Sequence, residues 1–356
     1  MTSSRQYRSK LSLRSSIGER GLAKKAVRIP ADADLPLMGC VAFGLIDRGT
    51  NLIQVRPISG CNLNCVFCSV DEGPRSKTRV ASFIVDLDYL LDWSRRLVKF
   101  KAVKDVEAHV DAAGEPTLYP KFKDLIHGLS SIEGVKVVSI QTNGTILRPG
   151  DVADLEAAGL TRVNLSVNAM DERLAKELSG SESYDLKAVL SLAEEIASSG
   201  IDLLLAPVWI PKVNDEEILK IIDFAVRIGC GKKYPSIGIQ KYEVHRFGRK
   251  VPGVRQQTWF KFYAQLERLG KRKGVKLKLG PRDFGIHRAP KVPLVYRKGE
   301  VASVRVECAG WVKGEVIGVS RNRCVTIMGC GEESIGSSVK AKIVRCGDNI
   351  YVARRI

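Results

Sequence analysis

The rhythm of apolar and polar positions changes twice along this 356-residue chain. From about Asn51, short apolar runs alternate with stretches whose apolar residues recur every three to four positions. The runs predict buried strands at 51–57, 106–111, 135–142, 162–167, 202–209 and 237–244, and the periodic stretches predict helices near 86–101, 121–131, 151–158, 186–199 and 215–228. Gly159, Gly200 and Gly229 supply stop signals. Strand and helix alternating six times imply parallel βα units with right-handed crossovers, hence an α/β fold curling toward a (βα)6 barrel or partial barrel. A further helix at 256–273 and a short strand at 275–279 lead into 280–299, where Pro281, Pro290 and Pro293 break any regular element. Beyond them, runs at 303–307, 314–319, 324–328, 338–344 and 349–354 alternate strictly and are parted by glycine or polar turns, the pattern of a small all-β barrel. The expected organisation is an N-terminal extension (1–45), an α/β core (46–280), a linker (281–300) and a β-barrel (301–356).

With 44% hydrophobic and 27% charged residues the chain is globular in composition, and no apolar run approaches the roughly 18 residues of a membrane span. The net charge of +18 is unevenly spread: residues 1–30 carry +7, residues 31–239 carry −6 and residues 240–356 carry +17. A mildly acidic block between basic ends suggests a catalytic body with polyanion-binding appendages; a solvated basic surface is the plainer alternative. The first 28 residues are rich in Ser and Arg and lack a long apolar region, which excludes a secretory signal. They read as a flexible basic arm, although transit peptides share that composition. Nine cysteines, three of them within eight residues, do not resemble a secreted disulfide framework and fit a reducing cytoplasm.

Those three lie in Cys61-Asn62-Leu63-Asn64-Cys65-Val66-Phe67-Cys68, directly after the first predicted strand. Three thiolates in so short a loop can hold three irons of a cubane 4Fe–4S cluster and leave the fourth open to a chelating cofactor. A zinc site is the alternative, but neither a fourth cysteine nor a histidine lies between Cys68 and Val106. The CxxxCxxC spacing, with Phe67 before the last cysteine, resembles the radical S-adenosylmethionine (radical SAM) superfamily over roughly Asn51–Val244. That resemblance implies a cluster held by Cys61, Cys65 and Cys68, S-adenosylmethionine on its open iron, and one-electron cleavage to a 5′-deoxyadenosyl radical. It also implies an electron donor such as ferredoxin or flavodoxin.

Ala113-Gly114-Glu115-Pro116 is similar to the superfamily's GGEP, with alanine replacing the first glycine. Gly114 and Glu115 are thereby expected at the cofactor's ammonium, which would supply the cation a buried Glu115 needs; a carboxylate at a helix N-terminus is the alternative. Thr142, Asn143, Ser166 and Asn168 match polar strand-end segments that contact the cofactor, and polar side chains on apolar strands are costly unless a ligand or a local partner satisfies them. The segment Lys241–Lys250 mixes aromatics and cations at the expected barrel mouth, where bases and phosphates could be held. His109 reads as a satisfied core histidine.

The C-terminal strands resemble a TRAM domain, an OB-like RNA-binding barrel, with Lys313, Arg321, Arg323, Lys340, Lys342 and Arg345 as its expected RNA contacts. The whole architecture resembles archaeal radical enzymes carrying such a barrel. Methylthiotransferases share both modules but have three more N-terminal cysteines, where this chain has only Cys40. Cys308, Cys324, Cys330 and Cys346 lack a CxxC knuckle and read as two disulfides or as small buried hydrophobes, with a second metal conceivable. The function expected is modification of tRNA or rRNA; the alternatives are a peptide or small metabolite as substrate, or a non-catalytic RNA-binding metalloprotein.

Overall fold

The structure, a computed structural model, describes residues 12–14 and 25–356. Most of the expected basic arm therefore lies outside the described residues.

Local sequence explains most helix ends. Leu87–Lys101 begins where the Asp86 carboxylate accepts the N–H groups of Asp88 and Tyr89, and ends at Ala102 in the left-handed region (φ 51°). Such a cap stabilises by about 1 kcal/mol, and the helix turns Leu87, Leu90, Leu91, Leu97 and Val98 inward. A helix not foreseen, Glu172–Ser179, starts at Asp171 and stops at Gly180. It is short and polar enough that its caps were the stronger signal.

Five parallel strands stand side by side in the order Asp202–Leu205, Arg162–Leu165, Val135–Thr142, Val106–Val110 and Leu52–Arg56. Gly44–Asp47 adds an antiparallel edge beyond Leu52–Arg56. The sixth expected strand is reduced to a bridge from Ile237 to Leu205 and a two-residue pairing of Gln240–Lys241 with Val208–Trp209. Pro207, which has no N–H to donate, interrupts the neighbouring strand there, and the result is an open, partial barrel. No strand forms at 275–279, because the Val275 N–H closes the preceding helix on the Gly270 carbonyl.

From Lys25 onward, the expected N-terminal extension over 1–45 is corrected. Lys25–Ile29 pairs in parallel with Ala81–Val85, a strand likewise not foreseen, and Leu35, Leu37, Cys40, Ala42 and Phe43 belong to the main core. The stretch 281–300 lacks strands as expected but does not hang free. The carbonyl of His287 accepts from the Asn51 N–H, that of Pro290 from the buried Lys101 ammonium, and the Val292 N–H donates to Asp47, the buried partner of Lys101.

Val301–Ala309, Glu315–Ser320, Arg323–Met328, Val352–Arg355 and Ser338–Arg345 close into a five-stranded barrel, in that order. Its interior holds Val304, Val306, Val325, Ile327, Ile343 and Tyr351, whereas Cys308, Trp311, Ile317 and Cys324 pack into the core of the α/β body. All nine cysteines are free thiols, so the disulfide expectation is corrected. Cys308, Cys324 and Cys330 are buried as small hydrophobes, and Cys346 is half-buried.

Candidate active site

All nine residues singled out for the cluster and its cofactor line one cavity of about 460 Å³ at the carboxyl ends of the parallel strands. Parallel α/β sheets gather ligands at that end because the loops and helix N-termini converge there. Cys61, Cys65 and Cys68 form one wall. Burial pushes the Cys65 thiol up to about 12, with Cys68 adding repulsion, and raises that of Cys61, again with help from its neighbouring thiols. Thiols facing a cavity are partly accessible yet desolvated, and they ionise when a cationic group is bound between them. Among the described residues no three His, Cys, Asp or Glu side chains converge on a single-ion site. A cubane cluster takes each thiolate on a different iron and so spreads its ligands, whereas zinc would draw them together. Three thiolates on one cavity wall are a donor set that such a cluster takes.

The cysteine loop is held from three sides. Gly60 pairs with Gly114, whose φ is +146° and where an added Cβ would lie 1.8 Å from the Gly60 carbonyl oxygen. The Asn64 and Val66 N–H groups donate to the Ser179 and Leu178 carbonyls, and a Cβ at Gly180 would meet the Asn64 carbonyl at 2.2 Å. The third support is Arg249. Its guanidinium donates to the Cys65 carbonyl at 3.1 Å and the Glu72 carbonyl at 2.7 Å and pairs with Asp71 at 2.8 Å, while its N–H donates to the Cys68 carbonyl. Sequence reasoning had placed Arg249 among cations for a ligand, since nothing in the chain order ties residue 249 to residue 65.

Glu115 is fully buried, and within the protein it is held by neutral donors. Its oxygens accept from Thr117 N–H (3.1 Å), Thr117 Oγ1 (2.7 Å), Thr142 Oγ1 (2.6 Å) and Asn143 N–H (2.7 Å). Burial raises its pKa and these bonds offset the rise only in part. Glu115 thus also caps the short helix Pro116–Leu118, the alternative raised from sequence. Asn143 donates from Nδ2 to Asn62 at 3.0 Å and reaches the Cys61 sulfur at 3.9 Å. Ser166 Oγ accepts from Gln141, and the Asn168 amide oxygen accepts the Val208 N–H. Each of these residues thus has a local partner and an edge on the cavity.

The polar groups continue from the cavity wall into the barrel interior. Arg56 forks onto Asp111, and His109 Nδ1 lies 2.7 Å from Ser139 Oγ, which donates to Glu107, the partner of Arg162. Burial lowers the pKa of His109, in keeping with a neutral, satisfied core histidine.

Among the expected RNA contacts, Arg321 pairs with Glu300 and covers Tyr296, and Arg323 donates to the Asn322 carbonyl. Lys313, Lys340, Lys342 and Arg345 are exposed and have no ion-pair partner among the described residues. The barrel meets the cysteine loop through Trp311, whose Nε1–H donates to Glu72 at 2.5 Å beneath the Arg79 guanidinium, 3.6 Å from the ring.

A family profile described as the Radical SAM superfamily matches residues 55–225. An uncharacterised protein of Methanocaldococcus jannaschii is 45% identical over 342 residues, covering 90% of this chain and 79% of that protein. A GTP 3′,8-cyclase of Vibrio parahaemolyticus is 32% identical over 124 residues, 35% of either chain. Streptococcus suis SuiB, solved with S-adenosylmethionine, superposes with a TM-score of 0.45 at 22% identity, over 62% of this chain and 46% of that one. The chain belongs to the radical SAM superfamily, whose enzymes work with a 4Fe–4S cluster and S-adenosylmethionine.

Proposed function

We propose that this enzyme modifies RNA, a tRNA or an rRNA, at the cavity described above. Cys61, Cys65 and Cys68 hold the cluster, and Gly114, Glu115, Thr142, Asn143, Ser166 and Asn168 border the cofactor. Bound there, the pair supplies a 5′-deoxyadenosyl radical when a reducing protein such as ferredoxin or flavodoxin delivers an electron. Glu115 fixes the Thr142–Asn143 turn, Arg249 keeps the cysteine loop on its strand ends, and the enclosing walls exclude water.

What supports RNA is a cationic stripe on the barrel. Lys342 stands directly opposite Arg354 on the neighbouring strand, and Lys340 follows on the same outward face. Like charges directly across a ladder destabilise it by tenths of a kcal/mol to about 1 kcal/mol, a cost offset when a polyanion lies on them. Trp311 and Glu72 join this barrel to the cysteine loop, and Glu72 also lines the cavity.

The test is anaerobic reconstitution of the full chain. Wild-type protein should bind iron, release 5′-deoxyadenosine and retain RNA with a salt dependence of about −0.7 in slope per phosphate contacted on a single strand. Cys65→Ala should lose both iron and deoxyadenosine release, and a variant with full activity would end the proposal for the cluster. An unchanged nucleoside mass profile of total RNA in a strain lacking the protein would end the proposal for RNA. A free nucleotide is the second reading, favoured by similarity to GTP 3′,8-cyclases; it predicts consumption of GTP by the reconstituted protein without RNA.

A further inference from the structure

Beyond the cavity lining, one helix end carries an aromatic surface that the site itself does not use. The aromatics expected to serve there, in Lys241–Lys250, are occupied. Tyr242 is buried and its hydroxyl accepts the Val251 N–H at 2.9 Å, while Phe247 is half-buried beside Arg246. The next helix, Trp259–Lys273, instead opens on two exposed rings, Trp259 at 49% and Phe260 at 86%. Trp259 is pinned: it stacks on Tyr263 at 5.5 Å (27° between planes), meets Phe262 edge-on at 6.0 Å, and has the Lys241 ammonium 4.7 Å from its ring centre. Lys241 also lines the cavity, so this turn of helix stands one side chain from the site. Phe260 remains uncovered beside it.

Single exposed apolar side chains are ordinary. Here the ring shares a helix turn with a fixed aromatic that touches a cavity-lining lysine, and further cations without acidic partners lie close in the chain. Lys250, Arg255 and Lys261 are exposed and form no ion pair among the described residues. Uncovered aromatic faces interspersed with unpaired cations are what an unpaired nucleic-acid strand requires, because every base has a face to stack and every phosphate a charge to neutralise.

We propose that Phe260, on the same helix turn as Trp259, is a stacking platform for an unpaired base of the RNA substrate. This rests on the proposal that the substrate is RNA. The occupant is taken to be RNA over an anionic membrane because this helix end exposes two rings flanked by cations rather than a broad apolar face.

The experiment uses the full-length reconstituted protein and three probes: a single-stranded oligouridylate of about a dozen nucleotides, heparin, and anionic phospholipid vesicles. Phe260→Ala should weaken oligouridylate binding by roughly 5-fold to on the order of 100-fold, the range for loss of one base–aromatic stack. Phe260→Tyr should restore it. Heparin affinity and the salt slope should not move, since heparin has charge but no base and no phosphate contact is lost. Deoxyadenosine release without RNA should also be unchanged. Equal oligouridylate affinity in Phe260→Ala and wild type would overturn the platform while leaving RNA as substrate, and wild-type protein that binds no RNA would overturn both. Parallel losses for oligouridylate and heparin would show an electrostatic or folding effect and overturn stacking. Vesicle binding lost in Phe260→Ala with RNA affinity intact would overturn it in favour of a membrane surface.

Discussion

Replacing Arg249 with alanine should open the cysteine loop without unfolding the protein. The side chain gives two donors to loop carbonyls and a 2.8 Å ion pair to Asp71, whose side chain is only 6% exposed. Breaking a buried pair from one side costs about 3–5 kcal/mol because the remaining charge keeps its desolvation penalty. Asp71 retains donors from Ser76, Lys77 and Thr78 on its other oxygen, the closest at 2.8 Å, so the lower end, about 3 kcal/mol, applies. If the loss falls on local opening, thiol labelling of the cluster-free protein at Cys61, Cys65 and Cys68 should accelerate by about 100-fold. Cys40, Cys308 and Cys324 are buried at the junction with the barrel and label only on wider opening, which provides an internal reference. Arg249→Lys keeps the charge but not the fork, and should fall between the two. The acid limb carries a second signature. Burial raises the Asp71 pKa, but its hydrogen bonds and Arg249 outweigh that and hold it below the usual carboxylate range. Its stabilisation is therefore present above the unfolded value and lost as pH falls through the folded one; in Arg249→Ala the folded value moves up toward the unfolded one, so the acid loss should be smaller and complete at higher pH. Unchanged labelling of the three loop cysteines relative to the reference would refute this account.

Gly114→Ala combines a φ of +146° with a 1.8 Å overlap on Gly60; it should destabilise by at least about 2 kcal/mol and lower iron content on reconstitution, both readable by urea unfolding and iron assay. Lys342→Ala should have opposite effects on two measurements, raising thermal stability by tenths of a kcal/mol as the repulsion from Arg354 is relieved while flattening the salt dependence of RNA binding. Burial pushes Glu72 up to about 7 against the Trp311 hydrogen bond and Arg79. Because its folded pKa is raised, that contribution is full below the unfolded value and lost as pH rises through about 7. Stability should fall by on the order of 3 kcal/mol from pH 4 to pH 8, and Glu72→Gln should abolish that dependence in a pH series of denaturation curves.

Deleting residues 300–356 would be a poor way to isolate the barrel's role. Trp311, Cys308 and Cys324 complete the core of the α/β body, so truncation would expose that core as well as remove cations. Point substitutions on the outward stripe keep the two effects apart.

The alternation of buried runs and amphipathic helices determined the α/β barrel, because burial on both faces of a parallel strand leaves a continuous apolar signature. Strict period-two alternation after residue 300 likewise determined a closed sheet with one wet face. The cavity-lining residues were legible for a related reason: cysteines three and four apart and polar groups at strand ends are costly anywhere but a site. What remained hidden were partnerships between distant positions. Arg249 reaching Cys65, Trp311 reaching Glu72, and Leu35 through Phe43 filling the body's core are set by which surfaces meet, and no periodicity records that. Glu115 shows the same limit. Its burial followed from its place on an apolar strand end, but its protein donors were set by where Thr117, Thr142 and Asn143 arrived. Local spacing determined which groups had to be buried or polar; only the tertiary structure decided their partners, because a hydrogen bond or ion pair depends on distance in space rather than along the chain.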